Sequence, residues 1–527
     1  MRRPRPNIQQ PAIIPAPLGG LNTTDSLMAM PPTDAVKLVN MVIGANGLRP
    51  RNGYQEHCTG IGAPILSMMQ YEAANPVNNK MFAATANDIF DVSASSGAPG
   101  SVVNFPSAGG LGESIIAVTG ADRYLLYCDE QNGYYTRAES SGTWTKVTLG
   151  GGAAQVSGVD PATFVQPCEF KGRIWFVVKG TTKAAYLAPN AVYGAATAYD
   201  FGSQFKRGGA LAALYSWTRD GGAGMDDMLV AISTAGEIVI YQGTDPSTYG
   251  AWDRKGRYYA GPVPAGRRLA ADYGGDLLIN TAAGALPLVA LMTGGPLTAD
   301  SYASRKVRKL FASYMADRRL NDGWSMLPVG QDNLILVTVP KLASEDYFQL
   351  VLSMDRASWS TFESLPVSCG TTWQGVFYFG TPDGRVCKYT GDADNVGRTG
   401  DTSAALEVKA LVIPAFNDGG SAERKQIQYV RPLFQSYGLL PRYAVEARWD
   451  FDLSDITPPV AGPGGNTNVW DTATWDAAVF QGDTVVVGDP VGVIGMGTHF
   501  SLGLACASRQ RVEFIGFHVA FEVGGIL

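Results

Sequence analysis

The 527-residue sequence predicts a mainly β fold: a β-propeller of six or seven blades, with an additional C-terminal β region and few short helices. Three observations predict it. Gly (63) and Pro (31) are abundant and aromatics make up 10%, a balance that favours short strands and tight turns over long helices. A strand–turn–strand unit recurs along most of the chain. A Trp falls late in several of these units, where a large ring can pack between neighbouring sheets. A 46% hydrophobic and 17% charged composition supplies enough apolar material for sizeable cores and argues against global disorder.

Taken in order, residues 1–17 read as an extended Pro-rich arm. Five prolines fix φ and remove donors, which favours polyproline II, and the three arginines Arg2, Arg3 and Arg5 make it basic. Such an arm gains order by lying on something else, for instance a neighbouring subunit. Residues 18–63 form an N-terminal helix and strand segment. The helix candidate is 33–43, with Asp34 as its cap and Val36, Leu38, Val39, Met41, Val42 and Ile43 as its apolar side. Asn46-Gly47 then turns the chain into a strand, LRPRNGYQEHC.

Residues 64–392 read as the propeller body. Units start near Pro64, Ser114, Phe164, Ala210, Leu269, Met326 and Val367, and the spacing approximates the ~40–50-residue repeat of propeller blades. Such sheets cannot bury both faces alone, so they stack radially. The recurrent tryptophans are Trp144, Trp252 and Trp359. The unit near Leu269 is irregular, which leaves six blades open beside seven. The last unit lacks a strand that LRPRNGYQEHC can supply to close the ring. A pair of β-sandwiches is the rival architecture. One inserted helix interrupts the pattern near 298–320, where Ala303, Val307, Leu310, Phe311 and Tyr314 share a face and Arg305, Lys306, Arg308 and Lys309 dominate the other. Its basic side is either a solvated face or an intersubunit or DNA contact.

After Asp392 comes a polar linker, GDADNVGRTGDTS, and then the C-terminal β region, 403–527. Alternation is plain in the last strand, with Val512, Phe514, Ile515, Phe517, Val519 and Phe521 among polar partners. Within this region 449–490 reads as an acidic, tip-like loop, with seven aspartates and no Lys or Arg.

Net charge is −6, and the arm and the inserted helix are basic, so the rest is strongly acidic. An acidic body gains nothing from neutralising phosphates, which excludes tight duplex binding but suits a lumen past which DNA slides. The six cysteines are scattered without a CxxC pair and read as free thiols of a reducing compartment. No apolar run is long enough to span a membrane, and the basic start lacks the apolar core of a signal peptide.

No catalytic, cofactor-binding or metal-binding constellation emerges. With three histidines, the pair His57-Cys58 stands alone, and neither GxSxG nor GxxxxGK[ST] occurs. Gly274-Gly275 reads as a hairpin turn, not a phosphate cradle. The enzyme reading that comes nearest is a sialidase-type propeller glycosidase. Its S-x-D-x-G-x-x-W turn is approached once, by Ser353-Met354-Asp355-Arg356-Ala357-Ser358-Trp359, without the Gly and one residue short. That reading would place weight on Asp355, Glu363 and neighbouring arginines.

Four phrases change the picture: Gly19-Gly20-Leu21-Asn22, Met30-Pro31-Pro32, Val36 to Asn40, and Arg51-Asn52-Gly53-Tyr54. In this order they resemble the start of the tail nozzle (tail tubular, tail hub) proteins of short-tailed bacteriophages. Lys425-Gln426-Ile427-Gln428-Tyr429-Val430-Arg431-Pro432-Leu433-Phe434 resembles the family's segment after the propeller. The resemblance implies a structural, non-enzymatic virion protein without cofactors. It further implies a homo-oligomeric ring, a hexamer, below a tail adaptor and portal, assembled in the host cytoplasm. Such a ring contacts fibres or spikes and lets the genome pass through its lumen, without stable membrane insertion. A receptor- or glycan-binding propeller is the alternative, and a glycosidase follows it.

Overall fold

The computed structural model describes residues 12–220, 225–248, 250–293, 295–436, 441–459, 484–508 and 512–523. The protein is mainly β and divides into two units: residues 56–347 with 366–388, and residues 1–55 with 348–365 and 389–527.

The first unit is a propeller of seven consecutive sheets. Their first strands are Ser67–Tyr71, Gly112–Val118, Phe164–Phe170, Leu211–Asp220, Ala270–Tyr273, Ser325–Val329 and Cys369–Trp373. These starts fall within three residues of those expected from the repeat. Sheets one to four each have four antiparallel strands, joined in order by hairpins except for a short detour before the last strand of sheet three. Successive sheets are neighbours through their first strands, except that the first strand of sheet four lies beside the second strand of sheet five, Asp276–Thr281. The first strand of sheet seven lies beside that of sheet one, so the sheets close into a ring. In sheet seven the outermost strand is Tyr54–Cys58, which comes from the N-terminal side of the chain and pairs with Val386–Tyr389. The expected closing strand is therefore this one, and an Arg385–Glu56 ion pair (2.9 Å) fastens it.

Sheet five is the irregular one. It stops after Gly284–Pro287, and helices replace its fourth strand. The inserted helix spans Arg308–Arg318, shorter than 298–320, because two 3-10 turns, Ala299–Ser301 and Arg305–Val307, take up the earlier residues. Val307, Phe311 and Met315 are buried, while Ala303, Leu310 and Tyr314 are half-buried.

The propeller core is a ring of clusters between sheets, because side chains alternate along each strand. Leu125 packs towards sheet one with Phe82 and Ile89, while Leu126 packs towards sheet three with Phe164 and Phe176. Leu229 and Val230 divide in the same way between sheets three and five. Two of the recurrent tryptophans sit in these seams. Trp144 meets Phe82 edge-on at 5.2 Å, and Trp252 stacks on Trp175 at 5.5 Å.

The second unit joins both ends of the chain. One sheet runs Met41–Ile43, Leu48–Pro50, Val512–Val523, Lys425–Ser436, Thr484–Val487, with Ala12–Pro15 also on Val512–Val523. In the other, Asp34–Val39 lies between Leu406–Pro414 and the hairpin Phe348–Ser353/Ser358–Glu363, and Phe500–Ser508 and Arg442–Trp449 follow. The last strand is not one continuous alternation. Val512 and Phe514 are buried, then Phe517, Val519 and Phe521, and a register shift in its pairing with Lys425–Ser436 accounts for the change of phase.

Several expectations are corrected. Residues 33–43 are not a helix but two strands, Asp34–Val39 and Met41–Ile43. Their β-branched residues suit a pleated sheet, and Asn40 turns the chain at φ 53°, a conformation Asn tolerates singly. Asp34 caps nothing: it is fully buried and accepts a hydrogen bond from Asn22 Nδ2 (2.8 Å). Part of the 1–17 arm, Ala12–Pro15, is a sheet strand, since its backbone donors find partners on Gly516–Val519; residues 1–11 lie outside the described residues. The compact units cut across two of the expected segments: residues 18–55 and 348–365 group with 389–527. The 449–490 loop narrows, because Trp449 ends a strand and Thr484–Val487 forms another; residues 460–483 lie outside the described residues. Even the polar linker contributes Ala393–Asp394 to a ladder with Leu406–Glu407.

Candidate functional site at the axial mouth of the propeller

In an antiparallel sheet the start of the first strand and the turn after the second lie at the same end. In the propeller that end surrounds one mouth of the axis. Sheets two to five bring Leu111, Val165, Leu211 and Leu269 from strand starts, and Glu130, Lys179 and Thr234 from turns. Sheet five has no fourth strand, and its insertion instead supplies Arg319, Leu320 and Asp322. Together they enclose about 300 Å³, with an aliphatic floor and a charged rim. Arg267 pairs with Glu130 at 3.0 Å, and the Lys179 ammonium donates to the Glu130 carbonyl at 3.0 Å.

Below the rim a polar chain crosses the axis. Arg268 donates from its backbone N–H to Glu113 Oε1 (2.5 Å), from Nη1 to the Gly370 carbonyl (2.5 Å) and from Nη2 to the Met68 carbonyl (3.1 Å). Gln166 Nε2 donates to Glu113 Oε2 (3.3 Å) and to the Leu214 carbonyl (3.1 Å), and Gln166 Oε1 accepts from Leu214 N–H (2.9 Å). One arginine thus connects sheets one, two and seven, and Glu113 and Gln166 carry the link to sheets three and four. Arg268 holds this position at φ 57°, a left-handed conformation that costs a non-Gly residue roughly 1–3 kcal/mol and needs surrounding bonds to persist. Sequence reasoning missed Arg268, Glu113 and Gln166. Arg267-Arg268 looks like any basic pair, and the only available signal was its place directly before an inward strand.

The residues singled out from sequence go elsewhere. His57 Nε2 lies 2.9 Å from the Val92 carbonyl and its ring meets Tyr378 edge-on; burial pushes its pKa below the ordinary value. Cys58 Sγ donates to Ala94 O, so this pair does not converge, and among the described residues no three His, Cys, Asp or Glu could hold a metal ion. All six cysteines are free, and burial raises the Cys369 thiol to about 11 and those of Cys387 and Cys506 to about 12, which leaves them protonated near neutrality. Gly274-Gly275 is the hairpin turn between Tyr273 and Asp276. Asp355 lies in the turn of the Phe348–Ser353/Ser358–Glu363 hairpin and Glu363 at its far end. At ~3.3 Å per residue they stand roughly 17 Å apart, beyond the ~5–9.5 Å of paired glycosidase carboxylates. Trp359 is fully buried in the second unit. In the inserted segment Arg305, in the turn before the helix, pairs with Asp300 (2.6 Å), and Arg318 on the helix pairs with Glu345 (2.6 Å), so part of the segment's basic charge is answered locally.

The phrases behind the family resemblance form a structural knot in the second unit. Arg51 is 1% exposed and grips Asp394 with both Nη atoms (2.8 and 2.7 Å), while its Nε donates to Asn40 Oδ1 (3.1 Å). Burial alone would lower the guanidinium pKa, but the Asp394 carboxylate reverses this and raises it. Gly53 touches the Ala393 backbone, where a Cβ would lie 1.9 Å from the carbonyl oxygen. Gly20, at φ 81°, lies against the Trp359 backbone in the same way, and Asn22 bonds both Asp25 and Asp34.

No family model and no curated protein matches the sequence. Among solved structures, the chain is similar to the extracellular domain of a hybrid two component system from B. thetaiotaomicron, with a TM-score of 0.39 and 11% identity over 63% of this chain. The match spans 40% of that structure's length. It is also similar to the computationally designed Ika8 protein (TM-score 0.35, 9% identity, 64% of this chain and 99% of that one). The β-propeller domain of Cps50 (Swd1) from Myceliophteria thermophila gives 0.39, 9%, 64% and 99%. None of these carries a functional inference.

Proposed function

We propose that this protein is a structural component of a short phage tail, the nozzle, acting as one subunit of a six-membered ring. The ring retains the genome and lets it out, contacts a tail adaptor on its portal side, and meets fibres or spikes at its flank. One observation supports this reading above others. The phrases that resemble the nozzle family, at 19–22, 51–54 and 425–434, lie far apart in sequence but fold into one unit, distinct from the propeller between them. Co-folding is what a shared architecture would require of them.

The glycan-binding alternative draws less support: among the described residues no Trp or Tyr lines the cavity of about 300 Å³, and Trp324 beside it is fully buried, so neither offers a ring face to a sugar. The reading is tested by native mass measurement of the purified protein with and without its adaptor, and by imaging the assembled particle. A hexameric complex positioned around the tail channel is the expected result. A stable monomer that binds or cleaves host glycan, or a location away from the channel, overturns it.

A further inference from the structure

The axial mouth has features that the nozzle reading does not use. Its floor is aliphatic, formed by the repeat-equivalent residues Leu111, Val165, Leu211 and Leu269. On its rim Leu320 is 77% exposed, an apolar side chain left in water at the lip of an apolar cavity. Beside it, Arg319 has no carboxylate partner among the described residues, whereas the neighbouring Arg267 is paired with Glu130. Both rim residues come from the segment that replaces the fourth strand of sheet five. This segment therefore does more than fill a gap in the ring: besides the Asp322 carboxylate it adds to the cavity a cation with no carboxylate partner among the described residues and an exposed apolar contact.

We infer that the axial mouth is a docking pocket for a peptide segment of a partner protein, in which an aliphatic side chain sits beside a carboxylate. The aliphatic group would enter the floor against Leu211 and Leu269 and be covered by Leu320. The carboxylate would meet Arg319, with charge complementarity setting its orientation. A volume of about 300 Å³ lies at the small end of ligand sites, room for one or two side chains rather than a large cofactor. Arg268 closes the axis beneath, so the segment docks at the mouth and does not thread through.

The test is calorimetric titration of the full chain with N-acetyl-Leu-Glu-Leu-amide and its neutral counterpart N-acetyl-Leu-Gln-Leu-amide. The acidic peptide is expected to bind roughly five- to tenfold more tightly, the range of one charge-assisted contact in a half-open site. Arg319→Gln should abolish that preference and leave binding of the neutral peptide unchanged. Leu320→Ser should weaken both peptides equally. Both positions reach the surface, so folding is preserved. Equal affinity for the two peptides, no saturable heat from either, or an undiminished preference in Arg319→Gln overturns the proposal. Displacement of the acidic peptide by inorganic phosphate at equal concentration does so too, because it would mark a simple anion site.

Discussion

Replacing Arg51 by Met should unfold the second unit preferentially. The structure sets the magnitude. Arg51 and Asp394 side chains are 1% and 10% exposed, and the pair is bidentate at 2.8 and 2.7 Å. Removing one partner of such a pair leaves the other charge buried without compensation, at a cost of about 3–5 kcal/mol. Asn40 Oδ1 loses a donor as well, though it still accepts from the Glu363 N–H at 2.8 Å. Because the protein has two units, a single unfolding free energy is not the right observable. Hydrogen exchange read peptide by peptide is. Amides of Leu406–Pro414 and Lys425–Ser436 should exchange roughly 10²–10⁴-fold faster in the variant, the conversion of that cost at tenfold per ~1.4 kcal/mol. Arg51→Met with Asp394→Leu should recover most of the loss, since no charge is then left alone. The reasoning fails if the single substitution accelerates exchange less than about fivefold, or if the double variant is no better than the single one.

Three further outcomes follow from the geometry. Arg268→Met removes two charge-assisted bonds to the Gly370 and Met68 carbonyls and should destabilise the propeller by about 1.5–3 kcal/mol, seen as a lowered propeller transition in calorimetry. Gly53→Ala forces a Cβ onto the Ala393 carbonyl and should cost about 1–3 kcal/mol, read as faster exchange around Ala393–Asp394. His57 sits on the strand that closes the ring, and its folded pKa lies below the ordinary value of about 6.5. Above that value both states are neutral and its contribution to stability is complete. As pH falls through it, the unfolded state gains a proton that the folded state resists, so stability is lost until the folded pKa is passed. Proteolysis at the closing strand should therefore rise between neutrality and mild acid in the wild type and stay flat over that window in His57→Gln.

How much of this was legible in the sequence depends on the range of the interactions concerned. Blade starts could be read because the first strands of each sheet are joined by local hairpins: alternating pairs such as Leu125 and Leu126 face opposite seams, and turns such as Gly274-Gly275 punctuate them. Trp144 and Trp252 could be placed because only a seam accommodates rings of that size. The stretch 33–43 was misread because Val36, Val39 and Val42 satisfy a helical face and a strand alike, and its partner strand lies hundreds of residues away. Asp394 hid in an apparently polar linker for the same reason: nothing local announces that it is the buried partner of Arg51. Arg268 was illegible because its role is to connect strands from separate repeats, which no single repeat encodes.

The closed axis bears on what a conduit built from this chain must be. A propeller has an axial opening, and an acidic protein with such an opening invites the idea that nucleic acid runs through it. Here Arg268 bonds backbone carbonyls of sheets seven and one at 2.5 and 3.1 Å across that opening. The major groove of a duplex alone is about 12 Å wide, so a duplex cannot share the axis with that arginine. A passage for a genome must then be bounded by several copies, and its charge is set by surfaces that copies turn towards one another. The acidic balance of the chain matters to such a passage because like charges keep DNA from adhering to its walls. The docking inferred above would leave the propeller axis a different task, with Arg319, which has no carboxylate partner among the described residues, positioned at the mouth above Arg268 to meet a small acidic segment.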